Sequence, residues 1–418
     1  MKTYYLKIFL FILLAGVILV GYGGFCDKST SGSSGTLPTQ VTLFDPSNGA
    51  TGVSVTPQLS WAEAGGATSY DVYVGTTYTG WSPVTTNITA LTYISPTALV
   101  ATTTYYWRID SRNSVGTTTG DIWSFTTGFN IQLVGSYDIL GSAYDVSISG
   151  TYAYVTDGLE GLQIIDISNP TLLTLAGSYN TPGFARGVFV SGSYAYVADD
   201  TSGLQIIDIS NPSSPTLTGS YNIPTSTTAV YILGSYAYLT DDALGLQIVN
   251  ISNPTSPTLT GSYNTTYPYN VYVSGNYAYV AGGAAGLLII DISNPASPTL
   301  TGSYTPYYVK DVFVSGNYAY VGASSDGFRV LDISNPASPT LTGSYNTIYP
   351  NSVYVSGNYA YLGLANAGVK IVDISNPAAP VVVGSYGTPW VAGAIYVSGS
   401  YAYVADGTSL QILGNIGQ

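Results

Sequence analysis

The stretch Gly286-Leu-Leu-Ile-Ile-Asp-Ile-Ser-Asn-Pro-Ala-Ser-Pro-Thr-Leu-Thr-Gly-Ser-Tyr304 recurs with small changes from residue 129 to the end of the chain. Its parts return in register. Tyr-Ala-Tyr begins at Tyr152, Tyr194, Tyr236, Tyr277, Tyr318, Tyr359 and Tyr401. Gly-Ser-Tyr ends at Tyr137, Tyr179, Tyr221, Tyr263, Tyr304, Tyr345 and Tyr386. The Asp-Ile-Ser-Asn-Pro segment starts at Asp166, Asp208, Asn250, Asp291, Asp332 and Asp373. Successive copies lie 41 or 42 residues apart. That is the length of one four-stranded unit in a radially repeated all-β fold.

Each period reads as four strands. In the fourth, Val271-Tyr-Val273 is an apolar run stopped by Ser274-Gly-Asn276. In Tyr277-Ala-Tyr-Val-Ala281 both tyrosines share one face and small residues take the other, as a period of two requires. Leu287-Leu-Ile-Ile290 is apolar on both faces, which places it between neighbouring units. Asn294-Pro295 and Pro298 break the ladder, because proline has no N–H to donate. Thr299–Tyr304 is the fourth strand, and nothing after residue 26 has helical periodicity.

Counting the landmarks predicts how the array ends. The first Gly-Ser-Tyr precedes the first Tyr-Ala-Tyr, and the last Tyr-Ala-Tyr is followed only by a third strand, Ser409-Leu-Gln-Ile-Leu413. A ring resolves both oddities. Ile131-Gln-Leu-Val-Gly-Ser-Tyr137 then pairs beside Leu410-Gln-Ile-Leu413, completing the last blade and leaving no exposed edge. The expected fold of residues 129–418 is therefore an all-β, seven-bladed β-propeller of four-stranded blades, closed by an N-terminal strand. An open β-solenoid is the alternative, and it would not need complementary ends.

The third-strand segments Leu162-Gln-Ile-Ile-Asp166, Leu204-Gln-Ile-Ile-Asp208, Leu246-Gln-Ile-Val-Asn250, Leu287-Leu-Ile-Ile-Asp291, Phe328-Arg-Val-Leu-Asp332 and Val369-Lys-Ile-Val-Asp373 resemble the LVIVD repeat family. Asn250 departs from its aspartate. The resemblance implies a propeller-like domain of a bacterial or archaeal surface protein, and supplies no catalytic residues.

Residues 1–25 read as a signal peptide: Lys2 and Lys7 precede an apolar run from Ile8 to Val20, short for a membrane span. Cys26 follows Gly23-Gly-Phe25 and is the sole cysteine. This resembles a bacterial lipoprotein cleavage site with Cys26 as the lipidation site, although Phe25 is large for it. Ordinary cleavage and an uncleaved anchor are the alternatives. A Ser/Gly-rich linker fills 26–37. Within 38–127, Gln58-Leu-Ser-Trp61, Tyr70-Asp-Val-Tyr-Val74, Leu99, Thr104-Tyr-Tyr-Trp-Arg-Ile109 and Asp121-Ile-Trp-Ser-Phe125 resemble a fibronectin type III domain. The resemblance implies a β-sandwich with Trp61 and Trp107 in its core and a corner made by Leu99 and Tyr105. Only Gly128-Phe-Asn130 separates it from the propeller, a linker that restricts orientation.

Composition bounds the chemistry. Histidine is absent, which removes Ser-His and Cys-His catalysis, histidine metal sites and the usual proton shuttle. One cysteine allows no intrachain disulfide. The net charge of −13 disfavours nucleic acid and anionic membrane surfaces, so membrane contact is expected only through the lipid anchor. No cofactor or metal site is implied. The recurrent aspartates suit turn capping better than calcium, which needs six to eight converging oxygens.

The loops after the fourth strands share one propeller face with those joining second to third strands. The first set carries Tyr144, Phe184, Tyr267, Tyr269, Tyr307, Tyr308, Tyr349 and Trp390; the second carries Asp157, Asp199-Asp200, Asp241-Asp242 and Asp406. Rings offer stacking faces and carboxylates accept hydroxyl or amide hydrogens, as a sugar or peptide site needs. The alternative is packing between blades. The candidate ligand-binding set is Tyr267, Tyr269, Tyr307, Tyr308, Lys310, Tyr349 and Trp390, with an extracellular glycan or protein as partner. Asp145, Asp311 and Glu160 are the carboxylates a two-carboxylate glycosidase would draw on. No blade carries the long insertion a walled cleft needs, so an enzyme is not expected. The expected role is an exported cell-envelope or cell-surface binding or adhesion head, with a structural envelope component and a glycan-active hydrolase as rivals.

Overall fold

The computed structural model describes residues 35–305, 307–347, 349–365 and 367–417. The targeting segment, Cys26 and all but the last residues of the 26–37 linker lie outside the described residues. The regular structure among the described residues is entirely β-strand.

Seven four-stranded antiparallel sheets form the blades. The fourth consists of Asn270–Ser274, Tyr277–Ala281, Leu287–Asp291 and Thr299–Tyr304, paired in chain order. Leu287, Ile289 and Ile290 are fully buried, as an apolar strand between two blades should be. The seventh sheet is composite. Gln132–Ala143 lies beside Gly407–Gly414, then Tyr401–Ala405, then Ala394–Ser398. Leu133 stands opposite Leu413 and Tyr137 opposite Leu410. The ring is therefore closed by the N-terminal strand, and the open solenoid is ruled out.

Packing agrees with the pairing. The last blade and the first share a core in which Val146, Val155 and Ile165 meet Tyr403, Leu410 and Ile412. Equivalent apolar cores fill the other six junctions. Two recurring landmarks are explained by one contact. A Cβ on Gly302 would sit 2.2 Å from the Pro336 carbonyl of the next blade, and one on Gly261 2.2 Å from that of Pro295. The Gly of Gly-Ser-Tyr thus makes room for the neighbour's proline turn. In that turn the Ser293 N–H donates to Asp291 Oδ1 at 2.8 Å, and the Ser252 N–H to Asn250 Oδ1 at 2.9 Å. Asn250 does the same capping work as the aspartates.

Residues before the propeller form a two-sheet sandwich. One sheet holds Leu43–Asp45, Gln58–Trp61 and Thr92–Ile94. The other runs Ala50–Val53, Trp123–Thr127, Thr104–Arg112, Ser69–Gly75, Thr85–Ile88, with Thr117–Thr118 beside its middle strand. Trp61 (2% exposed) and Trp107 (0%) lie in the core between them. Tyr105 closes the expected corner, its hydroxyl accepting the Val100 N–H at 3.0 Å. The sandwich docks on the outer strand of the sixth blade. The Phe129 N–H donates to the Val383 carbonyl at 2.5 Å, and the Phe129 ring meets Tyr359 edge-on at 5.3 Å.

Candidate functional site

The innermost strand of each blade begins just after the loop from the previous blade, so its first residues ring one mouth of the central channel. Opposite equivalent second-strand residues stand Asp145, Gly187, Ala229, Asn270, Asp311, Ser352 and Ala394. Two residues further along is an aromatic layer: Phe189, Tyr231, Tyr272, Phe313, Tyr354 and Tyr396, each ring within 5.0 Å of the next, centroid to centroid. Ser147 takes the seventh place and accepts the Val190 N–H at 3.3 Å. Tyr231 meets Tyr272, and Tyr354 meets Tyr396, with tilted rings 5.0 Å apart. These rings obstruct the channel and make its mouth a cup with an aromatic and phenolic floor.

Two carboxylates sit in the wall. Asp311 accepts the N–H groups of Val312 at 2.8 Å and Val353 at 2.6 Å, together with the Asn270 side-chain amide. Asp145 accepts those of Val146 at 2.8 Å and Val188 at 2.9 Å. Each acid thus bridges its own strand to the next blade. Burial pushes the Asp311 carboxyl up to about 7, with the Asp145 charge adding to the rise. Burial likewise pushes Asp145 up to about 6. Neither has a cationic partner among the described residues. In the sixth blade, Ser352 Oγ is buried without any hydrogen-bond partner and lies against Gly363 of its own second strand.

Above the cup stand the aromatics anticipated from sequence. Tyr267 (64% exposed), Tyr307 (66%) and Trp390 (62%) project into solvent, as do Tyr269 and Tyr349, while Tyr308 is half-buried. Tyr269 and Tyr308 come together, hydroxyl to hydroxyl at 2.6 Å with ring centroids 5.6 Å apart. Burial and that shared hydrogen bond raise Tyr269 to about 12. Tyr307 flanks Tyr308 at 6.5 Å. Tyr144 forms a second pair with Phe184 at 5.1 Å, and no ring contact links it to the first.

Tyr267, Tyr308 and Tyr349 occupy equivalent places in three successive blades, and all three are left-handed, with φ of 51°, 56° and 51°. Such a conformation costs a bulky residue on the order of 1–3 kcal/mol. Hydrogen bonds hold it: the Tyr267 N–H donates to the Asp242 carbonyl at 3.0 Å, the Tyr349 N–H to that of Ser324 at 2.9 Å.

Other acids and bases differ from the sequence expectation. Lys310 does not stand free at the rim. Its Nζ donates to Asn351 Oδ1 at 2.9 Å, and burial lowers its pKa. Asp157, Asp199, Asp241 and Asp406 are buried rather than presented beside the rings. Asp241 accepts the Leu244 N–H at 2.9 Å and Asp406 the Ser409 N–H at 2.8 Å, so these carboxylates fasten their own loops. Asp200 pairs with Arg186 at 3.2 Å. Glu160 lies exposed in a turn, away from the inner strands that carry Asp145 and Asp311. The phenolic floor escaped the sequence reading, though it is visible as an aromatic returning every 41 or 42 residues from Phe189.

No curated protein matches the chain in sequence. Among solved structures, the β-propeller domain of Cps50 (Swd1) from Myceliophteria thermophila is similar with a TM-score of 0.56 and 12% identity, over 68% of this chain and 99% of that one. A chain of the mitotic checkpoint complex is similar at 0.58 and 11%, over 68% and 92%. The computationally designed protein Ika8 is similar at 0.50 and 11%, over 73% and 90%. At such identities the likeness shows the fold alone. The LVIVD repeat model matches residues 140–181, 182–223, 225–265, 267–306, 307–347, 349–388 and 391–413. With seven matched repeats spread around a closed ring of blades, the chain belongs to the LVIVD repeat family.

Proposed function

We propose that this is an exported, lipid-anchored cell-surface protein whose propeller is a binding or adhesion head for a glycan or protein, engaged at the aromatic channel mouth. One observation carries this reading. Tyr267, Tyr307 and Trp390 leave most of their surface in water at a single face. Burying such rings is favourable, so their exposure leaves that gain for a partner. Left-handed Tyr267 and Tyr349 hold rings outward at a conformational cost that packing between blades does not require.

The sandwich is read as a fibronectin type III-like spacer, supported by its two sheets and its tyrosine corner. A glycan-active hydrolase would draw on Asp145 and Asp311. Both are committed to backbone N–H groups of two strands, which favours a binding role over that of a free nucleophile.

A glycan-array screen of the full-length protein, followed by Trp390→Ala and Tyr267→Ala, tests the head. Each variant should lose roughly 2 kcal/mol of affinity, or about thirtyfold, with little change in melting temperature. Variants that bind as tightly as wild type overturn the assignment of this face. Product release from the array would favour the hydrolase, and self-assembly without hits the structural component. For the anchor, Cys26→Ser should move the protein out of the membrane fraction; a variant that stays there argues against lipidation.

A further inference from the structure

Resting on the binding-head reading, we propose that the ligand is an extended neutral glycan, a chain of like sugar units laid over the fourth to seventh blades, where each blade offers an aromatic ring at the same place.

The position four residues after each Gly-Ser-Tyr divides the propeller in two. It holds Gly141, Gly183 and Thr225 at the first three blades, then Tyr267, Tyr308, Tyr349 and Trp390, each 41 residues from the next. A buried acid explains the first group. The Ser142 N–H donates to Asp157 Oδ1 at 2.6 Å, the Gly183 N–H to Asp199 Oδ2 at 2.9 Å, and Thr225 Oγ1 to Asp241 Oδ1 at 2.7 Å. Each of these loops is drawn inward onto a carboxylate. A side chain has no room there: a Cβ on Gly141 would lie 2.2 Å from Asp157 Oδ1, and one on Gly183 2.3 Å from the Asp199 carbonyl oxygen. The fourth, fifth and sixth blades carry Gly282, Ala323 and Leu364 in place of that acid. Their loops are held by backbone instead. The Tyr308 carbonyl accepts the Ser324 N–H at 3.0 Å and the Tyr349 carbonyl the Ala365 N–H at 3.1 Å, and Tyr267, Tyr308 and Tyr349 are all left-handed. In the seventh blade Asp406 turns to Ser409 and Gln411, and Trp390 is left in solvent.

Sites that are copies of one another suit a ligand whose units are copies of one another. A sugar ring lays its apolar C–H face on an aromatic ring and keeps its hydroxyls in water. The arc is continuous where blades meet: Tyr269 of the fourth blade lies 5.6 Å from Tyr308 of the fifth, and Tyr307 flanks it. The aromatic layer below obstructs the channel, so the chain lies across the mouth. Little charge is free along the arc. Lys310 donates to Asn351, and Asp326 accepts the Tyr307 N–H at 2.7 Å. With Gly282, Ala323 and Leu364 replacing the loop acid, a polycation finds little to hold. A polyanion is repelled by a propeller with sixteen acids against Arg186, Lys310, Arg329 and Lys370.

Linked units that seat on successive rings bind far more tightly than one unit, so length is the test. Cello-oligosaccharides and N-acetylated chito-oligosaccharides, both neutral, are titrated from mono- to hexasaccharide into the full-length protein by calorimetry. In at least one series affinity should rise stepwise, by about a hundredfold from first to last. Tyr267→Ala and Trp390→Ala remove opposite ends of the arc. Each should weaken the hexasaccharide about thirtyfold and the disaccharide about twofold or less, because a short chain can shift to the remaining rings. Equal affinity for mono- and hexasaccharide overturns the inference, as does binding of neither series. A protein ligand that is lost in Trp390→Ala, with no response to either series, also overturns it and leaves the binding-head reading standing. Should a variant misfold, the length series on wild type still decides.

Discussion

Tyr279 shows what the repeated Tyr-Ala-Tyr does. It is buried in the junction between the fourth and fifth blades, against Val312, Val314 and Leu331. Truncation there opens a cavity that the flanking strands cannot close. Tyr279→Ala should cost roughly 3–5 kcal/mol, read as a lower urea midpoint. An unchanged midpoint would mean that the ring carries no packing load. Asp311 makes the opposite kind of contribution. Its folded-state pKa of about 7 exceeds the ~3.9 of an unfolded carboxyl. Folding therefore takes up a proton between those values. The stabilisation is complete below about pH 4 and is lost as pH rises through about 7, up to roughly 4 kcal/mol. Wild type should lose more stability than Asp311→Asn between about pH 5 and pH 8, measured by urea denaturation at each pH. Parallel pH profiles would refute this.

At the scale of the element, the closing strand Gln132–Ala143 decides most. It covers Gly407–Gly414, which would otherwise present a long apolar edge, and it carries Ile139 into the junction with the first blade. Deleting 129–139 should lower the melting temperature of the whole propeller, because the ring loses one strand and one complete junction. A cooperative transition near the wild-type temperature would show that the blades lean only on their neighbours. The blade before it adapts to the closure. Gly384 faces Phe129 and Ile131 where Gly302 faces a proline turn, because at that point the ring meets the incoming chain.

On the scale of the whole molecule, the sandwich is held as well as tethered. Gly52 is left-handed at φ 64°, and a Cβ there would lie 2.6 Å from the Val382 carbonyl of the sixth blade. Gly52→Val should push the sandwich off the blade and increase the radius of gyration in small-angle scattering. A scattering curve identical to wild type would mean that the interface tolerates the branch. The docking fixes which way the propeller points relative to the sandwich.

The sequence by itself determined what repeats determine. A period of 41 or 42 residues, apolar third strands and unmatched ends specified the blades, their number and the closing strand, since each is a local pattern or a count. Trp61, Trp107 and the turn-capping aspartates were legible for the same reason: alternation and short-range hydrogen bonding are written in neighbouring residues. Only tertiary structure decided the site. Asp145, Asn270 and Asp311 are unremarkable within their own blades and acquire their partners only because the ring sets the inner strands of neighbouring blades side by side. The same geometry turned Lys310 toward Asn351 and buried the loop carboxylates Asp157, Asp199, Asp241 and Asp406. Contacts between blades join residues about forty or more positions apart, and no local pattern states which of two neighbouring acids will find water and which a backbone N–H.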